Sequence, residues 1–312
     1  MIVLNTFQYI MSFVVLWLAS EVIVDGIDHF SKKFRISSFA ASFFVLGLLT
    51  SLPEIGVGVS SLVDKSPEIF VGNLIGASFV LFLLAIPLLA IFGKGITLSH
   101  QLTNKNLVFA LFVILTPVIF VLDGHISTKE GLFMVILYLL LFYFIESKQK
   151  VVREVEQDIE GVKKSSTKQL IRVIGGCAMI FFASKILVDK TVFFAQVLNI
   201  HTYLISLVIL SVGTNLPEFA IAVNAILHKH KEIAFGDYVG SAAANTLIFG
   251  LLTMFHGSFT VSNGNFILTF VIFTVGMIFF YLFSRSKREI SSQEGFLLLL
   301  IYVAFLVLEI WH

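Results

Sequence analysis

The chain has 312 residues, of which 57% are hydrophobic and only 13% are charged, and its mean hydropathy is +0.97. Soluble domains carry roughly a quarter charged residues, so this composition excludes a water-soluble protein and indicates an integral membrane protein. The formal net charge of +1 identifies no partner, and we expect no nucleic acid among the partners.

Apolar stretches of about 20 residues, the length that crosses roughly 30 Å of hydrocarbon, recur along the chain. Ten of them are predicted to be transmembrane helices: 6–25, 37–63, 69–93, 104–123, 127–146, 169–193, 201–227, 233–256, 264–284 and 292–311. The first lacks a basic flank and a small-residue cleavage site, which favours a retained helix over a signal peptide. The longest polar segment, 147–168, carries both charge signs and is predicted to be a connector.

Basic residues are concentrated in every second loop, for example Lys32 and Arg35 after the first stretch and Lys229 after the seventh. Loops rich in Lys and Arg tend to remain in the cytoplasm. This tendency places both termini outside the cytoplasm and the 147–168 connector inside it. We therefore expect a multi-pass protein of the cell membrane, whether inner or plasma membrane.

The two halves of the chain repeat each other at an offset of 164 residues, so that TSLPE at 50–54 aligns with TNLPE at 214–218. Ten of the 32 positions from Thr50 to Leu81 are identical to their partners. Such self-similarity is the signature of an internal repeat. Since each half holds five spans, an odd number, the second half enters the membrane from the opposite side.

The predicted fold is an all-α polytopic membrane protein of ten transmembrane helices, arranged as two inverted five-helix repeats. Residues 1–146 form the first repeat, 147–168 the cytoplasmic connector and 169–312 the second repeat; the most similar parts are about 37–93 and 201–256. Inverted repeats are typical of secondary transporters, whose substrate sites lie near the middle of the bilayer between the repeats. The architecture therefore favours a transporter over an enzyme.

Each LPE segment places a proline and a carboxylate inside an apolar span. The proline removes a backbone donor, so we expect the helix to kink or break around Pro53 and Pro217 and to free a carbonyl one turn earlier. Glu54 and Glu218 are costly in the membrane unless they are paired, protonated or bound to an ion, and neither span contains a basic residue. We predict that the two glutamates bind a cation between the repeats.

Hydroxyl and amide groups beside the two glutamates complete the predicted cation site, namely Thr50, Ser51, Thr214 and Asn215. Oxygen ligands suit hard ions such as Ca²⁺, Na⁺ or Mg²⁺, and the sequence offers no cluster of thiolates or imidazoles for softer metals. Two carboxylates balance one divalent ion or two monovalent ions. That charge balance is what an exchanger of the two kinds of ion requires.

The third and eighth spans are predicted to supply the other wall of the site. Asn73, Ala77 and Leu81 share one stripe of the third span at helical spacing. The equivalent stripe of the eighth span consists of Asp237, Ser241 and Asn245, and it is polar throughout. Asp237 either supplies a third carboxylate or caps the start of its helix.

TSLPE followed by GNLIGASFVL, and TNLPE followed by GDYVGSAAAN, resemble the paired motifs of the cation/calcium exchanger superfamily, in particular its sodium/calcium exchanger branch. The resemblance covers essentially the full chain. It implies an antiporter, and not an enzyme, that exchanges Ca²⁺ for Na⁺ by alternating access without a cofactor; we expect a monomer in the lipid bilayer. The implied central carboxylates are Glu54 and Glu218. The other matched ligands are Thr50, Ser51, Thr214, Asn215, Ser241 and Asn245.

Several positions depart from the motifs of that family. In the first copy, Leu49, Ala77, Ser78 and Leu81 stand where the family has glycine, serine, asparagine and a terminal amide or acid. In the second copy, Ala242 replaces an asparagine. Since the first copy has lost side-chain oxygens, we infer that one or more flanking Na⁺ sites are weakened or absent. The electrogenic stoichiometry usual in the family is therefore not assumed.

Other functions could use the same features. Carboxylates in a partly dry site can bind protons, so a proton-coupled antiporter of Ca²⁺ or another divalent cation is the first alternative. A cation channel could use the same oxygens, and the lost ligands would also fit a descendant that no longer transports. Asp25 and Asp189, which also repeat, belong either to the ion path or to helix packing, and His228 and His230 are interpreted as part of a solvated loop.

Overall fold

The computed structural model describes residues 2–31, 47–97, 104–149, 166–219, 231–262, 264–285 and 289–311. Helices account for most of these residues. The first half contains α1 (Ile2–Ser31), α2 (Gly47–Thr50), α3 (Leu52–Val63), α4 (Pro67–Val80), a π-helical turn (Leu81–Ala85), α5 (Ile86–Phe92), α6 (Asn104–Phe120) and α7 (Thr128–Gln149). We call Leu81–Ala85 the first π turn.

The second half contains α8 (Ser166–Leu198), α9 (Thr202–Ile205), a second π turn (Ser206–Leu210), α10 (Ser211–Thr214), helical residues 216–219, α11 (Lys231–His256), α12 (Phe266–Arg285) and α13 (Ser292–Trp311). Four two-residue strands add to the helices: β1 (Ile96–Thr97), β2 (His125–Ile126), β3 (Phe259–Thr260) and β4 (Glu289–Ile290). The sequence predicted neither the π turns nor the strands. The connector residues 150–165 lie outside the described residues.

The described part of each of the ten predicted spans lies mainly in one helix or in a group of consecutive helices. Among the described residues, six helices are long and apolar enough to cross a membrane, and three shorter apolar helices accompany them. The predicted all-helical membrane fold is confirmed, apart from the short strands. The number of ten crossings and the boundaries of the two repeats stay predictions.

Two helical segments form the centre of the molecule. Most residues are buried in Pro67–Phe92, which comprises α4, the first π turn and α5, and in Phe235–His256 of α11. The other long apolar helices bury only about a third of their residues or fewer. Their outer faces carry large apolar side chains such as Phe182 and Phe255, which are exposed in the way that lipid-facing residues are.

The packing of the broken helices on the central segments follows the inverted repeat. α2 and α3, from the first half, pack against α11 of the second half. In return α9, the second π turn and α10, from the second half, pack against α4 of the first half. The broken helices of each repeat therefore pack on the central helix of the other repeat. This packing brings the two LPE segments together at the centre.

The strands and the first helices of the two halves also pair across the repeat. β1 pairs with β4 and β2 with β3, both antiparallel, so each strand pair joins one half of the chain to the other. α1 and α8, the first helices of the halves, pack along each other and share a separate apolar cluster that includes Leu16 and Leu187. These contacts join elements of one half to elements of the other.

Glycines permit the close crossing of the broken helices and the central helices. A Cβ atom at Gly47 would lie 2.7 Å from the carbonyl carbon of Gly240, and one at Gly76 would overlap the carbonyl oxygen of Leu207. Both glycines lie at a crossing between the repeats. A side chain at either position would push the two walls of the centre apart.

Replacing Gly76 with alanine should destabilise the protein by about 1–3 kcal/mol, because the added methyl group must displace the backbone at Leu207. Gly175→Ala is the matched control, since no atom lies within 4 Å of a Cβ at this helical position. Alanine favours helix formation by about 1 kcal/mol over glycine, so the control should be neutral or stabilising. Thermal unfolding of the purified proteins measures both changes; equal shifts in melting temperature would contradict the packing argument.

Candidate cation site

The two LPE segments interrupt their helices close to the prolines, as the sequence predicted. The interruptions fall at Ser51 and Asn215, two residues before Pro53 and Pro217. Pro53 lies in the first turn of α3, where a backbone N–H has no partner within the helix and its absence costs little. The proline therefore starts a new helix, and the break precedes it.

Glu54 and Glu218 follow the two breaks and are each 1% exposed. Both carboxylate oxygens of Glu54, and Oε2 of Glu218, have no hydrogen-bond partner. Glu54 lies in the first turn of α3, whose positive end favours a negative charge. That interaction is worth at most about 2 kcal/mol, less than the cost of a bare carboxylate inside a membrane. The pair therefore requires a cation or protons.

The glutamates of the two repeats face each other across the centre. Glu54 lies near the hydroxyl of Thr214, and Glu218 lies near the hydroxyl of Thr50. The charges of the two carboxylates also interact with each other. Each acid is thus placed beside a hydroxyl of the opposite repeat, as inverted symmetry requires.

A first group of polar side chains surrounds Thr50, and we call it the Asp237 pocket. The hydroxyl of Thr50 lies 2.8 Å from Oγ of Ser241 and 3.3 Å from Oδ1 of Asp237. Ser241 also donates to the carbonyl oxygen of Gly47 at 3.3 Å. Asp237 is fully buried and its Oδ2 has no hydrogen-bond partner. It lies within α11 beside Thr50 and does not cap the helix, so the capping alternative is wrong.

The equivalent group around Thr214 is the Asn73 pocket. The hydroxyl of Thr214 donates to Oδ1 of Asn73 at 3.2 Å, the counterpart of the contact between Thr50 and Asp237. Asn73 is fully buried, and its Nδ2 has no hydrogen-bond partner. Ala77 stands where Ser241 stands in the other repeat. The two pockets share a backbone plan but differ by one carboxylate and one hydroxyl.

All nine residues that the sequence singled out are buried in this region, none more than 2% exposed: Thr50, Ser51, Glu54, Thr214, Asn215, Glu218, Asp237, Ser241 and Asn245. Ser51 donates to the carbonyl oxygen of Gly47 at 2.8 Å, and Nδ2 of Asn215 donates to that of Ser211 at 2.7 Å. These two carbonyls of the breaks are therefore used by the protein itself. The amide oxygens of Asn215 and Asn245 have no partner and are available to a cation.

Sequence reasoning placed Asn73 on the wall of the site without naming it as a ligand, and it assigned no role to Tyr238. The alignment of Asn73 with Asp237 could have identified the first, because both belong to one repeated position. The hydroxyl of Tyr238 donates to the carbonyl oxygen of Glu218 at 3.2 Å and so supports the second break. No motif in the sequence pointed to that contact, which depends on how α11 packs against the broken helix.

Other candidate residues lie elsewhere. Asp189 accepts from Lys185 at 2.9 Å, and Lys185 also reaches Asp64 at the end of α3 at 2.5 Å, so Asp189 belongs to a part-exposed ionic contact between helices. Ion pairs of this exposure contribute little to stability, about 0–1 kcal/mol. The side chains of Asp25 and Leu49, and both His228 and His230, lie outside the described residues.

The donor set suits a hard cation. Within the described ranges, no three His, Cys, Asp or Glu side chains come together closely enough to hold a metal ion. Asp237 contacts the hydroxyl of Thr50, and its charge also interacts with that of Glu218. Any ion at the centre would rely on carboxylates together with neutral oxygens, which is the ligand preference of Ca²⁺ and Na⁺.

Comparison with known proteins gives a family-level match. Residues 4–145 and 168–311 match the family model described as sodium/calcium exchanger protein. The sodium/calcium exchanger MaX1 of Methanosarcina acetivorans is 24% identical, over 95% of this chain and 97% of that protein. An uncharacterized membrane protein of Methanocaldococcus jannaschii is 26% identical, over 97% of both chains, and the putative antiporter CaxA of Alkalimonas amylolytica is 23% identical, over 98% of both.

Solved structures of the sodium-calcium exchanger NCX_Mj share the fold. The crystal soaked with 2.5 mM Na⁺ and 10 mM Sr²⁺ superposes with a TM-score of 0.70 at 22% identity, over 98% of this chain and 99% of that one. The crystal soaked without Na⁺ and Ca²⁺ gives a TM-score of 0.65, over 97% and 98% of the two chains. The likeness extends over the whole length of both proteins.

Binding of Ca²⁺ should stabilise the folded protein, and Glu54→Gln or Glu218→Gln should remove most of that stabilisation. A ligand that binds the folded state at 100 times its Kd adds about 2.7 kcal/mol, so the loss is measurable as a shift in melting temperature with and without Ca²⁺. Glu130→Gln is the control, because Glu130 caps α7 through Ser127 and lies outside the site. A Ca²⁺ response that persists in both site variants would contradict the assignment.

Proposed function

Because the chain belongs to the sodium/calcium exchanger protein family, we propose that it exchanges Ca²⁺ for Na⁺ across the membrane with Glu54 and Glu218 as the central cation ligands. The observation that carries this proposal is the pair of buried carboxylates, one from each repeat, in which both oxygens of Glu54 and Oε2 of Glu218 lack a hydrogen-bond partner. Two negative charges attract one Ca²⁺ or two Na⁺. Occupation by one kind of ion then excludes the other, which is the basis of exchange.

Neutral oxygens would complete the coordination of either ion. The amide oxygens of Asn215 and Asn245 have no protein partner. The hydroxyls of Thr50 and Thr214 lie beside the carboxylates of the opposite repeat. Ser51 and Ser241 are less readily available as ligands. Each hydroxyl donates to the carbonyl oxygen of Gly47 and would have to give up that bond to reach an ion.

The Asp237 pocket would hold Na⁺ more strongly than the Asn73 pocket. Oδ2 of Asp237 has no partner and lies beside the hydroxyls of Thr50 and Ser241, whereas the Asn73 pocket has no carboxylate. A full negative charge roughly doubles the strength of the interaction with a charged ligand. Exchange would therefore use the two sides of the centre unequally, which agrees with the loss of oxygens at Ala77 and Leu81.

Alternating access follows from the inverted repeat. The broken helices, α2–α3 in one repeat and α9–α10 in the other, each pack against the central helix of the opposite repeat. A site at that crossing can open to one face of the membrane when one broken helix moves and to the other face when its counterpart moves. The breaks at Ser51 and Asn215 are the natural hinges for such movements.

The distribution of basic residues supports the orientation of this exchanger in the cell membrane. Both termini would lie outside the cytoplasm and residues 147–168 inside it. β1 and β4 would then lie on the cytoplasmic face, and β2 and β3 on the opposite face. The protein would act as a monomer in the lipid bilayer, since one chain contributes both halves of the site.

Vesicles that contain the purified protein and Na⁺ should take up ⁴⁵Ca²⁺ when external Na⁺ is replaced by choline. Glu54→Gln and Glu218→Gln should each lower the initial rate by at least about 100-fold, since each removes one of the charges that balance Ca²⁺. Glu130→Gln should transport like the parent protein. If uptake is driven by an inside-acid pH gradient but not by Na⁺, the counter-ion is the proton and not Na⁺. If either site variant transports normally, the central carboxylates take no part in the mechanism.

Asp237→Asn should make the two flanking pockets alike and weaken the response to Na⁺. We expect the Na⁺ concentration for half-maximal Ca²⁺ release to rise about tenfold, the equivalent of 1.4 kcal/mol for one lost charge interaction. Asn73→Asp is the matched variant, because it adds a carboxylate at the equivalent position and should shift the Na⁺ response in the opposite direction. An unchanged Na⁺ response in Asp237→Asn would show that Asp237 binds no transported Na⁺.

A further inference from the structure

Three phenylalanines from three helices form a stacked layer beside the centre. The ring of Phe79 in α4 lies 4.3 Å from the ring of Phe273 in α12 and 4.3 Å from that of Phe305 in α13. Side chains four residues apart lie on the same face of a helix, one turn above the other. The residues one turn beyond this layer are therefore neighbours too.

Thr269 and Glu309 occupy those positions, four residues before Phe273 and four residues after Phe305. Glu309 is 5% exposed and Thr269 is 1% exposed. Tyr203, which is 1% exposed, joins them: its hydroxyl lies near the hydroxyl of Thr269 and within electrostatic range of the carboxylate of Glu309. We call Tyr203, Thr269 and Glu309 the Glu309 cluster.

The oxygens of this cluster are buried without partners. Within the described part of the chain, the hydroxyls of Tyr203 and Thr269 and Oε2 of Glu309 have no hydrogen bond. Each such group costs about 1–3 kcal/mol, and a buried acid costs more. Phe266 packs edge-on against Tyr203 at 5.3 Å between ring centroids, so the surroundings are otherwise apolar.

We propose that Tyr203, Thr269 and Glu309 form a second cation site, separate from the exchange site and selective for a monovalent ion. The three ligands are oxygens, which suits a hard cation. A single carboxylate balances one positive charge, whereas a divalent ion would leave an excess positive charge in an apolar environment. Na⁺ is therefore the first candidate, with water completing its coordination.

The internal repeat does not account for the Glu309 cluster. At the offset of 164 residues, Tyr203 corresponds to Phe39 and Glu309 to Ile145 in the first half. Neither counterpart has an oxygen in its side chain, so the cluster exists only in the second repeat. The exchange site, in contrast, draws its carboxylates from both repeats.

The Glu309 cluster is nevertheless connected to the centre. Tyr203 lies at the start of the second broken helix, and its carbonyl oxygen is 2.5 Å from where a Cβ at Gly72 of α4 would be. Gly72 precedes Asn73, whose side chain contacts Thr214. A cation that joins Tyr203 to α12 and α13 would hold this end of the broken helix in place, so the bound ion would regulate the exchange without being exchanged.

Direct Na⁺ binding in the absence of the central carboxylates tests the proposal. Purified full-length protein with Glu54→Gln, Glu218→Gln and Asp237→Asn should still bind ²²Na⁺ in choline buffer, and adding Glu309→Gln should weaken that binding at least tenfold. Thr269→Val and Tyr203→Phe, which remove one oxygen each at nearly constant shape, should weaken it as well. Thr274→Val on the same helix is the matched control, because Thr274 also has a buried hydroxyl without a partner.

Two results would overturn the proposal. One is equal Na⁺ binding with and without Glu309→Gln, and the other is a cluster that binds Ca²⁺ in preference to Na⁺. Unchanged binding in all three cluster variants would show that the cluster is a packing feature. The result is independent of the proposed exchange function, since failure of that function would appear as normal Ca²⁺ transport by Glu54→Gln, with Glu309 unaltered.

Discussion

The cost of keeping Glu54 and Glu218 inside a membrane governs the rest of this structure. Their carboxylates are buried almost completely, three of the four oxygens lack a hydrogen-bond partner, and neither span has a Lys or Arg side chain to neutralise them. A cation removes that cost, and it can do so only if the two repeats bring both acids to one place. Three features bring the two acids together: the helix breaks, the glycines at the crossings and the opposed directions of the two halves.

The symmetry of the two halves is close in the backbone and incomplete in the chemistry. Thr50 contacts Asp237 as Thr214 contacts Asn73, yet only one of these pockets carries a charge. The first π turn begins at Leu81, the position that corresponds to Asn245 of the second repeat, and π turns frequently mark functional sites. An exchanger that binds two kinds of ion benefits from such inequality, because equivalent pockets would not distinguish between them.

Much of this arrangement could be predicted from the sequence, because a repeated LPE segment in an apolar span has few physical explanations. The helical membrane fold, the pairing of Glu54 with Glu218 and the burial of the flanking oxygens follow from periodicity, charge and the 164-residue offset. The residue at which each helix breaks and the hydrogen bond from Tyr238 could not be predicted in this way. They depend on the packing of helices that are distant in sequence, as does the Glu309 cluster, whose members belong to three different helices.

The central claim is that Ca²⁺ and Na⁺ compete for the same carboxylates. The most direct measurement is equilibrium binding of ⁴⁵Ca²⁺ to the purified protein, at constant ionic strength, while Na⁺ replaces choline. We predict that Na⁺ displaces Ca²⁺ completely and that the apparent Kd for Ca²⁺ rises without limit as Na⁺ increases. A plateau, with Ca²⁺ still bound at saturating Na⁺, would mean that the two ions occupy separate sites and would contradict the account.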